Sequence, residues 1–250
     1  MADVEVLFLG SGDAFGSGGR MQTCILVSHP GGRFLIDCGT TALIAMRRYG
    51  IDPGEIDAIL LTHLHGDHFG GLPYLVLDAQ FFGKRTRPLV VTGPPGTAAR
   101  VDGLMEVVFP GSTQVKRNFD LDIRELATEV PAEVPEAGGI RVSPYEVVHA
   151  CGCTPFALRI ECAGRTIAYT CDTEWTDSLV AAGREADLLI AEAYFYDKRV
   201  KYHLDYATLI AELPRIAPRR TVVTHMNTDM LDRLDDIDCD AADDGLRLTL

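Results

Sequence analysis

One short segment of the chain holds four side chains of types that commonly bind metal ions: His63, His65, Asp67 and His68. An apolar run over 58–61 precedes them, which predicts that they lie at the end of a buried strand. The first two histidines are two residues apart, so in an extended segment their side chains point the same way. Gly66 permits a sharp turn after which the aspartate and the third histidine can face a second, neighbouring point.

Two neighbouring points with two ligands each favour a two-metal centre. In such centres the ions lie roughly 3.5–4 Å apart and activate a water between them. A polar loop with scattered histidines is the simpler alternative. The chain has only seven histidines, so three of them within six residues argue for a metal site.

The overall composition is that of an ordinary globular protein. Of 250 residues, 47% are hydrophobic and 24% are charged, which is enough material for a sizeable core. We find no linker and no strong internal repeat, so we expect a single domain over residues 1–250. No apolar run approaches the roughly 20 residues that a membrane span requires, and no membrane association is expected.

The cysteines and the N-terminus indicate the compartment. Seven cysteines, an odd number, argue against a complete disulfide framework. The stretch 1–5 is acidic and lacks the pattern of a secretory leader. We therefore expect a cytoplasmic protein whose cysteines are reduced.

The charge balance indicates which kind of substrate or partner the protein can bind. The formal net charge is −13, from 23 basic and 36 acidic residues. A polyanion such as folded RNA is repelled by this average field unless a local basic patch overcomes it. The balance favours a small substrate over a nucleic acid.

The order of the predicted elements indicates the fold class. Strands come first, and helices and strands then alternate twice, which is typical of two sheets covered by outer helices, an α/β (α+β) architecture. The segment 112–139 is rich in charge, Pro and Gly, and predicts edge strands and loops. Strands are predicted over 4–9, 24–28, 33–37, 58–61, 88–92, 140–148, 156–161, 166–170, 187–191 and 221–224, and helices over 40–49, 69–82, 94–109, 177–182 and 205–213.

Three further residues repeat the strand-end position of His63. His149, Asp172 and His225 each follow closely after an apolar strand. Strand ends are rigid, and converging strand ends build a preorganised site. A carboxylate can bridge two cations, so the aspartate is the candidate for a shared ligand.

With these residues in this order the sequence resembles the metallo-β-lactamase superfamily over nearly its full length. The resemblance implies a four-layer αββα sandwich that holds two Zn²⁺ ions at one edge, with Mn²⁺ or iron as alternatives. It implies that His63, His65 and His149 bind the first ion. It also implies that Asp67, His68 and His225 bind the second ion, and that Asp172 bridges the two ions.

Within the superfamily, the segment 69–73 is similar to the ribonuclease Z and phosphoribosyl cyclic phosphodiesterase branch. The resemblance implies a functional carboxylate at Glu192 and an additional histidine, His203, near the scissile phosphate. Catalytic roles then fall to Asp67, His203 and Glu192. Asp37 is predicted to be a buried residue behind the ligand cluster.

Four functions are compatible with such a centre. Only 23 positions separate His149 from Asp172, which leaves no room for the long arm with which ribonuclease Z enzymes grip tRNA, so hydrolysis of a small or cyclic phosphodiester is the main prediction. The alternatives are a tRNA 3′ endonuclease using Lys84, Arg85 and Arg87, an ester, thioester or lactone hydrolase, and a binding protein with a decayed site. Relatives are often homodimers, and that assembly stays open.

Overall fold

The computed structural model describes residues 3–250, so the first two residues of the N-terminal stretch used above lie outside the described residues. Seven helices and fourteen strands form within the described range, and the strands build two seven-stranded sheets. The helices are α1 Ala42–Arg48, α2 Gly66–Phe69, α3 Leu72–Phe81, α4 Thr97–Val108, α5 Ser178–Gly183, α6 Tyr206–Ile216 and α7 Thr228–Leu231.

The first sheet contains the N-terminal half of the chain and the C-terminal strand. Its order is β14-β1-β2-β3-β4-β5-β6, antiparallel from β14 to β3 and parallel from β3 to β6. Because β3, β4 and β5 run parallel, their carboxyl ends meet at one edge. The strands are β1 Glu5–Gly10, β2 Cys24–His29, β3 Gly32–Ile36, β4 Ala58–Leu60, β5 Leu89–Gly93, β6 Leu121–Glu125 and β14 Arg247–Thr249.

The second sheet contains the C-terminal half. Its order is β13-β12-β11-β10-β9-β8-β7, antiparallel from β7 to β10 and parallel from β10 to β13. The parallel strands again bring their carboxyl ends to one edge. The strands are β7 Ala132–Val134, β8 Ile140–Glu146, β9 Phe156–Cys162, β10 Arg165–Tyr169, β11 Leu188–Glu192, β12 Thr221–Thr224 and β13 Asp240–Ala241.

The main hydrophobic core lies between the two sheets. Alternate residues of strands from both sheets fill it, among them Phe8, Phe34, Phe156 and Tyr169, all fully buried. Two further cores lie on the outer faces, where α1, α3 and α4 cover the first sheet and α5 and α6 cover the second. This arrangement confirms the predicted αββα sandwich.

The structure corrects two predictions around the histidine segment. The helix predicted over 69–82 is α3, which begins only at Leu72, and a separate one-turn helix, α2, precedes it and ends at Phe69. Gly66 is the first residue of α2 and has no positive φ, so the turn that we expected this glycine to permit is the start of a helix. Asp67 and His68 are directed by one turn of helix instead.

The described residues also bear on the cysteines and on membrane insertion. All seven cysteines are free, as expected for a reducing compartment. Within residues 3–250, none of the helices combines the length and the apolar character that crossing a bilayer requires.

Candidate metal centre

The seven predicted ligands meet at the edge where the two sheets expose their carboxyl ends. His63 follows β4 in the first sheet, while Asp172 and His225 follow β10 and β12 in the second. His149 lies three residues beyond β8, His65 directly precedes α2, and α2 supplies Asp67 and His68. The site therefore exists only where the two sheets pack together.

The first cluster contains three histidines. His149 Nε2 lies 3.1 Å from His65 Nδ1, and each pair among the three rings, including that of His63, has its centroids 4.9 Å apart. One nitrogen from each ring lies within 4.8 Å of the others. Three imidazoles converging in this way form a typical cation site.

The second cluster contains two histidines and two carboxylates, all buried. His68 Nε2 lies 3.2 Å from Asp67 Oδ2 and 3.4 Å from Asp172 Oδ1. His225 Nε2 lies 3.3 Å from Asp67 Oδ2 and 3.4 Å from Asp172 Oδ2. The same Asp172 Oδ2 lies 4.0 Å from His149 Nε2 in the first cluster, so this carboxylate faces both clusters.

Unpaired polar atoms show that the clusters fit divalent cations. His63 Nε2, His68 Nε2 and Asp172 Oδ1 are buried and have no hydrogen-bond partner. Buried polar atoms of this kind are costly unless a ligand satisfies them. Imidazole nitrogens and carboxylate oxygens are donors that zinc, manganese and iron accept, so the residues present suit a divalent metal.

The charges of the second cluster also favour a bound cation. Burial disfavours the charged form of Asp172, but the neighbouring His225 and His68 outweigh it and hold the pKa of this carboxyl well below its usual value. Burial alone lowers the pKa of His68, yet Asp172, Asp67 and Asp37 raise it well above its usual value. The carboxylates are thus ionised in a buried place that stabilises positive charge.

Asp37 supports the second cluster from behind, as predicted. It is fully buried, its Oδ2 lies 2.7 Å from His68 Nδ1, and its Oδ1 accepts a hydrogen bond of 2.8 Å from the backbone of Thr62. The pairing orients the imidazole and leaves Nε2 for the cluster. At Gly39, nearby, a Cβ would lie 2.4 Å from the carbonyl oxygen of Asp67, so this glycine allows the close approach of the two segments.

We expect Asp37→Asn to weaken metal binding by about 10- to 100-fold, the usual cost of losing a residue that orients a ligand. Asparagine tolerates the left-handed backbone of this position, φ 60°, so the fold is retained. A competitive chelator titration measures the effect. Asp57→Asn is the matched control, because Asp57 is also buried and accepts a backbone hydrogen bond, from Arg33; equal affinity loss in both variants would contradict the assignment.

His203 and Glu192 form a hydrogen-bonded pair beside the two clusters. Their atoms Nδ1 and Oε1 are 2.5 Å apart, and Glu192 is fully buried. The other carboxylate oxygen, Oε2, accepts hydrogen bonds from the backbones of Thr173 and Leu204, at 2.8 and 3.1 Å. The contact with Glu192 outweighs burial and raises the pKa of His203. The pairing leaves Nε2 of this histidine for the adjacent cavity.

A cavity of about 330 Å³ opens onto both clusters. It brings together predicted site residues from both sheets and adds two aromatic rings that the sequence reasoning missed, those of Phe15 and Tyr194. Phe15 lies in the glycine-rich loop that follows β1. The predicted residues that line the cavity are His65, Asp67, His149, Asp172, His203 and His225.

The loop that carries Phe15 is held in place at both ends. The buried carboxylate of Asp13 accepts hydrogen bonds from the backbones of Phe15 and Ser17, at 3.1 and 2.9 Å. Asp244, near the C-terminus, accepts hydrogen bonds from the backbones of Ser11 and Met21, at 2.9 and 2.8 Å. The loop is therefore a fixed part of the cavity rim.

Comparison with known sequences identifies relatives over most of the chain. The sequence family described as Anti-Pycsar protein Apyc1 matches residues 4–239. Ribonuclease Z of Haloferax volcanii is 29% identical over 271 residues, which cover 90% of this chain and 84% of that protein. Matches to other ribonuclease Z sequences cover between 38% and 91% of those proteins.

Comparison with solved structures identifies the fold. The metallo-β-lactamase fold protein YhfI from Bacillus subtilis superposes with a TM-score of 0.82 at 19% identity, covering 100% of both chains. A diphosphatase from the PhnP family superposes with a TM-score of 0.79 at 20% identity, covering 100% of this chain and 98% of that one. The chain has the metallo-β-lactamase fold, and its sequence relatives place it in the ribonuclease Z-like branch.

Proposed function

We propose that this chain, which belongs to the Anti-Pycsar protein Apyc1 family, uses its hydrolase site to cleave phosphodiester bonds in a small or cyclic nucleotide or phosphate. One observation carries the proposal. Asp172 faces both clusters of ligand atoms, and a histidine paired with a carboxylate, His203 with Glu192, lines the same cavity. That combination supplies a place for cations, a proton acceptor and a proton donor around one substrate.

We propose two zinc ions as the cofactors, with Mn²⁺ or iron as alternatives. The first would be held by the three histidines of the first cluster, and the second by Asp67, His68 and His225, with Asp172 shared between them. Such ions, when bound, lower the pKa of a water and neutralise charge on phosphoryl oxygens. The unpaired buried atoms of both clusters support this assignment.

The chain's own residues supply the proton transfers of the proposed reaction. Asp67 lines the cavity, with its Oδ2 near His225, and can orient the attacking water and accept its proton. His203 can donate a proton from Nε2 to the leaving oxygen. Glu192 positions His203 and stabilises its protonated form, because the carboxylate is buried and fixed by two backbone hydrogen bonds.

A small substrate fits the surface better than a tRNA. Two of the three residues predicted as a basic track are engaged within the protein: the guanidinium of Arg85 donates to the carbonyl oxygens of Arg87 and Pro88, and that of Arg87 pairs with Asp57. Arg85 is also buried. The net charge of −13 adds repulsion toward a polyanion.

Two alternatives stay open because the same centre serves them. Ribonuclease Z relatives such as that of Haloferax volcanii support a tRNA 3′ endonuclease. An ester, thioester or lactone hydrolase would use the same activated water on a carbonyl carbon. We also keep as proposals the single domain over 1–250, a homodimer, and a cytoplasmic location, the last supported by seven free cysteines.

We expect the zinc-loaded protein to turn over a 3′,5′-cyclic nucleotide with a kcat/KM at least about tenfold above that for a thioester, since the cavity offers a proton donor to its leaving oxygen. It should also turn over bis-p-nitrophenyl phosphate, whose leaving group needs no such donor. Parallel assays with these compounds and a precursor tRNA test the proposal. The Asp67→Ala variant, which should lose both activity and one metal ion, is the control for contaminating enzymes. Preferred cleavage of precursor tRNA, or of the thioester, would replace the proposal with the corresponding alternative.

A further inference from the structure

Phe15 stands at the rim of the metal cavity with its ring in solvent. Its side chain is 85% exposed although it lines the cavity together with Asp67 and His203. Single exposed aromatic residues are common on protein surfaces and need no explanation by themselves. The position at the cavity and the fixed loop distinguish this ring from the others.

Several hydrogen bonds fix the loop that carries this ring. Besides the bonds from the backbones of Phe15 and Ser17, Asp13 accepts a hydrogen bond of 2.7 Å from the Ser17 hydroxyl, and Asp13 is itself fully buried. Gly16 has φ 68°, in the left-handed region, and its backbone N–H donates to the carbonyl oxygen of Asp13 at 3.3 Å. A ring mounted on so constrained a turn is presented to a substrate at little cost in entropy.

The cavity has a polar floor and an aromatic rim. The ligand clusters and His203 form the floor, whereas Phe15 and Tyr194 add aromatic surface. The ring of Tyr194 stacks on His203, with centroids 4.6 Å apart and planes at 29°, so Phe15 is the ring left free to contact a substrate. Among the described residues, 3–250, no lysine or arginine is included in the cavity lining. A substrate with one phosphodiester and a flat apolar group matches this division.

We propose that Phe15 is a specificity-determining residue that stacks on the nucleobase of the substrate while the phosphodiester lies at the ligand clusters. The inference rests on the proposed function and adds a residue that favours a substrate with a base over a base-free sugar phosphate. Stacking on an aromatic side chain is tolerant of base identity, since every base has a π face. The ring therefore selects for the presence of a base and not for one particular base.

The kinetic test compares adenosine 3′,5′-cyclic phosphate with its analogue that carries hydrogen in place of the base. We expect Phe15→Ala to raise KM for the nucleotide by about 5- to 100-fold, the range that loss of one stacking partner produces. The KM for the base-free analogue and the kcat for both should change by less than about twofold. Phe15→Tyr should restore the wild-type KM, and Phe15→Leu should not.

Phe82→Ala is the matched control, because Phe82 is 81% exposed and does not line the cavity. This variant should leave kcat and KM unchanged for both the nucleotide and the base-free analogue. A Phe15→Ala variant that loses affinity equally for both substrates, or for neither, overturns the inference.

A binding measurement separates this inference from the proposed function. Trp175 is the only tryptophan of the chain, so a Phe15→Trp, Trp175→Phe variant has its single tryptophan at the cavity rim, where it can be excited selectively over the tyrosines. Adenosine 5′-monophosphate should quench the fluorescence of the metal-loaded variant, and ribose 5-phosphate should not. Equal responses to both compounds, or none, overturn the inference, whereas wild-type protein that hydrolyses neither cyclic substrate refutes the proposed function alone.

Discussion

Replacement of Asp172 by alanine is expected to lower kcat/KM for a phosphodiester by at least about 1,000-fold, which corresponds to the loss of about 4 kcal/mol of transition-state stabilisation. Its two oxygens face different partners: Oδ1 lies 3.4 Å from His68 Nε2, and Oδ2 lies 3.4 Å from His225 and 4.0 Å from His149. Alanine removes a buried negative charge that both clusters share. We therefore expect fewer than two equivalents of metal after dialysis, measured by elemental analysis together with turnover.

Asp187→Ala is the matched control for this variant. Asp187 accepts a hydrogen bond of 2.9 Å from the backbone of Thr166, near the opposite end of β10, and it contacts no predicted ligand. It should keep its metal and its activity while losing some stability, which thermal unfolding records. If Asp172→Ala retained two metal ions and wild-type turnover, the shared-ligand assignment would be wrong.

Replacement of His203 by alanine is expected to leave the metal content intact and to lower turnover by about 100-fold on a substrate with an alkoxide leaving group. The pairing with Glu192 leaves Nε2 of His203 to face the cavity as the proton donor. p-Nitrophenolate leaves without needing a proton, so the loss on bis-p-nitrophenyl phosphate should be much smaller. This dependence on the leaving group separates a proton donor from a residue that only shapes the cavity.

Two further variants complete this experiment. Glu192→Gln keeps the size of the side chain but removes the charge that holds His203, and we expect a smaller loss, about 10-fold, with the same leaving-group dependence. His29→Ala is the control, since His29 is the one histidine outside the site and its ring Nε2 contacts the carbonyl oxygen of Ala137. A uniform loss on every substrate for His203→Ala would rule out the proton-donor role.

The residues that meet at the metal centre could be predicted because they share a local context. His63, Asp172 and His225 each come soon after an apolar strand, and parallel strands of one sheet align their carboxyl ends. The fold class followed from the order of strands and helices, which the two sheets confirm. The roles of His203 and Glu192 were inferred from resemblance, and nothing in their spacing specified that the two side chains pair.

The conformation at the strand ends could not be predicted. Asp37, Cys171 and His225 take left-handed φ values of 60°, 64° and 56°, which L-residues rarely adopt and which the surrounding packing must impose. The one-turn helix α2 was missed because four residues give too short a pattern to show helical periodicity. Phe15 was missed for a different reason: exposure and distance to a cavity are properties of the folded chain.

Asp244 fastens the loop that carries Phe15, and this loop belongs to the cavity rim and not to the ligand clusters. The match to the family ends at residue 239, whereas the carboxylate that fastens the loop lies five positions later, next to β14. Every predicted ligand precedes that point. Exchanges in the final dozen residues can therefore shift the loop that carries Phe15 while the ligand clusters stay in place.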